Sequence, residues 1–188
     1  MILYVNSCVR KNSRTDRLAK ALLNRLGEYE EIRLTDLKQA PLNEKRLDHR
    51  TEQIDKQNFD DEIFEPARQF AGADIIVISA PYWDGSFPAI LKTYLENIYC
   101  IGVVTGYDEH GMPVGMCRAE KLYYVTTAGG NYDRRFSYDY IEYLTKNMFG
   151  ISDTELVYAE NLDMEGNDAE AILDDAVTKY LTGSTGKA

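Results

Sequence analysis

The feature that most constrains this chain is the way its apolar residues change period along the sequence. Short continuous apolar runs alternate with stretches of helical spacing. Continuous runs mark strands buried on both faces, and the helical stretches mark the helices that cover them. The clearest run is Asp74-Ile75-Ile76-Val77-Ile78-Ser79, whose β-branched side chains favour a strand, and it reads as the centre of a sheet. Residues 2–5 form the first predicted strand, 29–34 a second and more exposed one, and 121–127 and 155–159 the fourth and fifth. Between them, Leu18, Ala21, Leu22 and Leu26 repeat at helical spacing and stop at Gly27. Further helices are predicted over 60–71, through Ile90, Leu91, Tyr94, Leu95 and Ile98, through Phe136, Tyr140, Ile141, Leu144 and Met148, and from Ile172 to Leu181. The rhythm predicts an α/β chain with a parallel sheet covered on both faces.

Two segments fall outside that rhythm. Residues 35–61 are polar and charged with little periodicity and read as a long excursion. In 102–118, Val103-Val104-Thr105 and Pro113-Val114-Gly115 flank the turn-like Asp108-Glu109-His110-Gly111, which predicts a small hairpin. A length of 188 residues without internal repeats predicts a single domain over 1–182, with the Gly/Ser-rich residues 183–188 as a flexible tail.

Charge and cysteine usage restrict the function. A formal net charge of −10 repels polyanions, so neither nucleic acid nor an anionic membrane surface is an expected partner. No apolar stretch is long enough for a membrane span, and Met1 runs into Ile2-Leu3-Tyr4-Val5 without a basic leader, so a cytoplasmic protein is expected. The 3 cysteines, Cys8, Cys100 and Cys117, are too dispersed for a disulfide framework or a paired zinc site, and His49 and His110 lack metal-ligand spacing. No metal is expected.

In an open parallel sheet, ligands bind beyond the carboxyl ends of the strands where strand order reverses. The loop after the first strand, Asn6-Ser7-Cys8-Val9-Arg10-Lys11-Asn12-Ser13-Arg14-Thr15, leads hydroxyls and cations into a helix N-terminus, a setting for a phosphate. It has neither the Gly-x-Gly-x-x-Gly of a dinucleotide fingerprint nor the Gly-Lys-Ser/Thr of an ATP loop, which favours a phosphate monoester. Ser13 or Thr15 acting only as a helix cap is an equal reading of that loop alone. The loop after the third strand, Ala80-Pro81-Tyr82-Trp83-Asp84-Gly85-Ser86-Phe87-Pro88, sets aromatics between prolines, off any periodic face, where a flat heterocycle could lie. After the fourth strand, Thr126-Thr127-Ala128-Gly129-Gly130 lets the backbone approach a ligand closely, although a diglycine is equally a plain turn.

Taken together, these loops resemble the flavin-binding elements of the flavodoxin-like NAD(P)H:quinone oxidoreductase and FMN-dependent NADH-azoreductase family. The resemblance spans most of the chain, including the hairpin and the closing strand Val157-Tyr158-Ala159-Glu160. It implies a three-layer flavodoxin-like fold with a five-stranded parallel sheet in the order 2-1-3-4-5. It also implies that Ser7, Ser13, Arg14 and Thr15 hold the FMN phosphate. By the same resemblance Pro81, Tyr82, Trp83, Asp84 and Gly85 line the isoalloxazine ring, and Thr127, Ala128, Gly129 and Gly130 bond its pyrimidine edge. A homodimer with the flavin near the interface is implied, with the 36–61 excursion and the hairpin as contacts. Asp84-Gly85 stand where azoreductases tend to have Asn-Phe, which sets a carboxylate near the ring and removes an apolar wall.

The implied activity is an FMN-dependent oxidoreductase that passes hydride from NADH or NADPH to a small acceptor such as a quinone, an azo compound or a nitroaromatic, by a ping-pong mechanism. The flavin carries the chemistry, so no side-chain nucleophile is required. Tyr132, Tyr107 and His110 are candidate proton donors or lid residues, each read first as an ordinary packing or surface residue. A flavodoxin-type electron carrier and a reductase that supplies reduced FMN are the alternatives.

Overall fold

A computed structural model describes residues 1–182; the tail expected over 183–188 lies outside the described residues. Strands β1 (Ile2–Asn6), β2 (Tyr29–Arg33), β3 (Ile75–Ser79), β6 (Lys121–Thr127) and β7 (Asp153–Ala159) form one parallel sheet in the order β2-β1-β3-β6-β7. Once the two hairpin strands between β3 and β6 are set aside, this is the 2-1-3-4-5 order implied by the sequence. Alternation within the central strands divides the core between the faces. Leu3, Val5, Ile76, Ile78, Leu122 and Tyr124 pack on one side with helices α3 (Glu65–Gly72), α4 (Ala89–Ile98) and α5 (Tyr138–Leu144). Ile2, Tyr4, Val77, Val125 and Val157 pack on the other with α1 (Arg14–Leu26) and α6 (Ala169–Thr182). Both faces are therefore dry, which is why β1 and β3 read as unbroken apolar runs.

The excursion holds a helix that the sequence reading did not place, α2 (Glu44–Asp55), capped by Asn43, whose side chain accepts from the Arg46 amide. Besides Ile54, which packs against the core, its docking is polar: Arg46 Nη2 donates to Asn97 Oδ1 at 2.9 Å, and Arg50 Nη1 to the Glu96 carbonyl at 3.1 Å. The expected hairpin is present as β4 (Thr105–Tyr107) and β5 (Pro113–Gly115), with Asp108 Oδ1 accepting from the His110 and Met112 amides across the turn. Helix α5 runs on through a π turn, Thr145–Phe149, to Gly150 at φ 78°. Among the described residues no helix is long and apolar enough to cross a membrane.

Candidate functional site

At the carboxyl edge of the sheet, β1 leads to a helix on one face and β3 to a helix on the other, and the chain opens where they part. The loops there are tied to one another. Ser7 donates to the Ser79 carbonyl through both its amide (3.0 Å) and its hydroxyl (2.7 Å). The Tyr82 amide donates to the Thr127 carbonyl at 3.0 Å, and the Thr15 and Thr127 hydroxyls lie 2.6 Å apart. These bonds close a cleft of about 440 Å³, a size suited to a small cofactor.

The first loop is held from beneath by Asn6, whose Oδ1 accepts from the Cys8 amide and whose Nδ2 donates to Asp16 and Glu31. Asp16, a buried carboxylate in the first turn of α1, also accepts from Tyr4 and Lys20. A buried carboxylate with three donors fixes its surroundings, because each partner lost leaves one of its oxygens short of a hydrogen bond. Above this network Ser13 caps α1, accepting from the Asp16 amide at 3.4 Å. The remaining first-turn N–H groups lack helical acceptors and, with the helix dipole, favour an anion. Burial pushes the Cys8 thiol up, against the pull of Ser13 and Ser79, so it is held as a neutral thiol and not as a nucleophile.

Pro81, Tyr82 and Trp83 form one wall of the cleft. Trp83 and Ser86 exchange a pair of 2.8 Å backbone bonds around Asp84 (φ 51°) and Gly85 (φ 82°). Two central residues at positive φ make a type I′ reversal, which accounts for Asp-Gly at these positions. Beside them, joined by the Tyr82–Thr127 backbone bond, lie Thr127, Ala128 and Gly129; a Cβ at 129 would displace the Asp163 carboxylate, whereas one at 130 would meet nothing within 4 Å.

Of the residues expected from the sequence, Ser13, Arg14, Thr15, Pro81, Tyr82, Trp83, Thr127, Ala128 and Gly129 line the cleft together. Ser7 is fully buried beneath it, bonded to Ser79, while Asp84 and Gly85 sit at the tip of their turn and Gly130 stands beside the cleft, outside its lining. The Tyr132 hydroxyl is 2.8 Å from Ser137 Oγ, its ring meets Tyr82 edge-on, and burial pushes its phenol up to about 12, so it is neutral at physiological pH. Tyr107 and His110 lie exposed on the hairpin, and His49 pairs with Asp61. The lining also contains Val9, Arg10 and Asn12, and a fourth segment after β7 with Leu162 and Asp163. The Asp163 amide donates to the Gly129 carbonyl at 2.8 Å, and its carboxylate accepts from Arg14 Nη1 at 2.7 Å. Its position after the sheet's last strand was the available signal, since that loop opens on the same edge.

The chain matches the family model described as a flavodoxin-like fold over residues 1–182. It is 30% identical to an FMN-dependent NADH:quinone oxidoreductase of Clostridium perfringens, with 96% of each chain covered. It is 38% identical to FMN-dependent NADH:quinone oxidoreductase 2 of Clostridium acetobutylicum over 64% of this chain, and the match spans only 62% of that relative's length. In three dimensions it is similar to an azoreductase from Bacillus anthracis, at a TM-score of 0.81 and 20% identity with 96% of each chain covered, a likeness of fold. The chain belongs to the flavodoxin-like family.

Proposed function

We propose that this chain is an FMN-dependent oxidoreductase that takes hydride from NADH or NADPH and delivers it to a quinone or another small oxidised acceptor. The names of the curated relatives support NADH as donor and a quinone as acceptor. The observation that carries the reading is the make-up of the cleft. Hydroxyls and a guanidinium at the start of α1 face the same space as an aromatic wall and the Thr127 to Gly129 turn. That combination fits a mononucleotide with one phosphate and a flat ring. Ser13, Arg14 and Thr15 would hold the phosphate, Pro81 to Trp83 would flank the ring, and the Thr127 to Gly129 backbone would meet its polar edge. When bound, FMN supplies reversible hydride chemistry, while the protein supplies position and electrostatics. A single cleft suits donor and acceptor entering in turn, which is ping-pong kinetics.

The functional unit in this reading is a homodimer. Apolar side chains stand exposed on the cleft wall (Trp83), beside the Trp83 turn (Phe136) and on the hairpin (Tyr107, Met112, Val114, Met116), a distribution that water disfavours on an isolated chain. Three free cysteines suit a reducing compartment, the cytoplasm.

The test is the visible spectrum of protein purified in the presence of FMN, followed anaerobically after NADH and then after a quinone. Bleaching of the flavin band by NADH and its return with quinone are expected. Protein that stays colourless with added FMN would sink the proposal, and bound flavin that neither nicotinamide bleaches would mark an electron carrier instead.

A further inference from the structure

We propose that Asp163 competes with the FMN phosphate for Arg14, lowering the charge of the phosphate end of the cleft and keeping the cofactor exchangeable. The inference rests on the FMN reading above. The charged side chains lining the cleft are Arg10, Arg14 and Asp163, so Asp163 is its one carboxylate among the described residues. It is anchored at both ends: its amide is bonded to the Gly129 carbonyl at 2.8 Å, and Oδ2 takes up the space above the Gly129 Cα that a Cβ would need. Oδ1 accepts from Arg14 Nη1 at 2.7 Å, bridging the first and fourth segments of the rim across 149 positions of sequence.

A phosphate monoester carries about −1.5 to −2 charges near neutral pH and three acceptor oxygens. Seated at the α1 N-terminus, it would seek the guanidinium that Asp163 already holds, and two anions would then share one cation. Arg14 and Asp163 side chains are 40% and 66% exposed, so water screens the repulsion to a modest penalty on phosphate binding. The sign of a substitution follows from shape. An asparagine side chain has the same outline and retains an oxygen that accepts from Arg14, so Asp163→Asn removes the charge and keeps the guanidinium placed. A neutral residue here should tighten FMN and leave phosphate-free riboflavin as it was.

The experiment is a flavin-fluorescence titration of wild-type protein and Asp163→Asn, each with FMN and with riboflavin, at low and high salt. For Asp163→Asn the FMN dissociation constant is expected to fall about three- to tenfold at low salt, with a smaller change at high salt. Riboflavin affinity is expected to be unchanged, which also reports that the ring site is folded. Unchanged or weakened FMN binding would overturn the inference, as would a parallel change in riboflavin, which would make Asp163 a prop for the Gly129 turn. Should Asp163→Asn lose riboflavin binding altogether, Asp163→Ser is held to the same expectation. Wild-type protein that quenches neither flavin would refute the FMN reading itself, a different result from wild-type binding that the substitution fails to change.

Discussion

Ser13 and Thr15 stand two residues apart at the head of α1 and have different obligations. Ser13 is the cap, so Ser13→Ala removes both a helix-terminating bond and a hydroxyl at the phosphate end of the cleft. Loss of such a cap costs about 1 kcal/mol of stability. Thr15 is fully buried and its hydroxyl meets Thr127, so Thr15→Ala unties the first loop from the third. A hydrogen bond to a charged phosphate contributes about 1.5–3 kcal/mol, so each substitution should weaken FMN binding about tenfold or more. Fluorescence titration and urea unfolding of the two variants measure both effects. Unaltered FMN affinity in both would move the phosphate elsewhere. Their place on the cleft was legible because hydroxyls between a buried strand and a periodic helix are a local signal. Asp163 had only its position after the last strand to mark it, because its partners Arg14 and Gly129 are distant in sequence and no spacing joins them. Ser7 is the converse case: it has the right residue type in the right loop, but its hydroxyl is engaged in joining β1 to β3.

At the scale of elements, the strands and most helices were readable because each buries an apolar stripe or run. Helix α2 shows what that signal leaves out. Its one buried residue is the polar Gln53, its apolar contact with the core is the partly buried Ile54, and it is fastened to α4 chiefly by Arg46, Arg50 and Asn97. Only the cap at Asn43 marked it in the sequence, and a cap without a hydrophobic stripe is a weak sign. Asn97 is the hinge of this contact, donating to the Ala40 and Thr93 carbonyls and accepting from Arg46. Partly exposed polar docking of this kind contributes little net stability, so α2 should open independently of the sheet. The expected outcome for Asn97→Ala with Arg50→Ala is faster amide exchange across residues 44–55, with protection in β1 and β3 retained. Global stability should fall by no more than roughly 1–2 kcal/mol. Exchange that accelerates in the central strands as well would show that α2 belongs to the cooperative core.

For the whole molecule, the placement of its exposed apolar groups decides how two copies could meet. Phe136 is 64% exposed and lies beside the Trp83 turn, where Ser86 Oγ donates to its carbonyl. The hairpin is at the other end of the same layer, with the Cys117 amide donating to the Phe149 carbonyl at the close of the π turn. Helix α5 and that turn are 7 and 5 residues long, which separates the two groups by roughly 18 Å. A twofold axis across this layer would set the hairpin of each chain against the cleft mouth of the other, and each apolar group would cover its complement. The proposed homodimer therefore predicts that assembly and cofactor retention fail together. Sedimentation equilibrium at roughly 10 µM should give twice the mass of one chain, an affinity within reach of an interface of standard size. Val114→Asp, on the hairpin and away from the cleft lining, would place an unpaired charge in the contact and shift the chain to monomer. In that monomer Trp83 and Phe136 lose their cover, so FMN should dissociate more readily although no residue of the cleft has changed. A variant that is monomeric yet holds FMN as the native protein does would separate the cleft from the interface, and a native chain that sediments as a monomer would remove the dimer from the proposal.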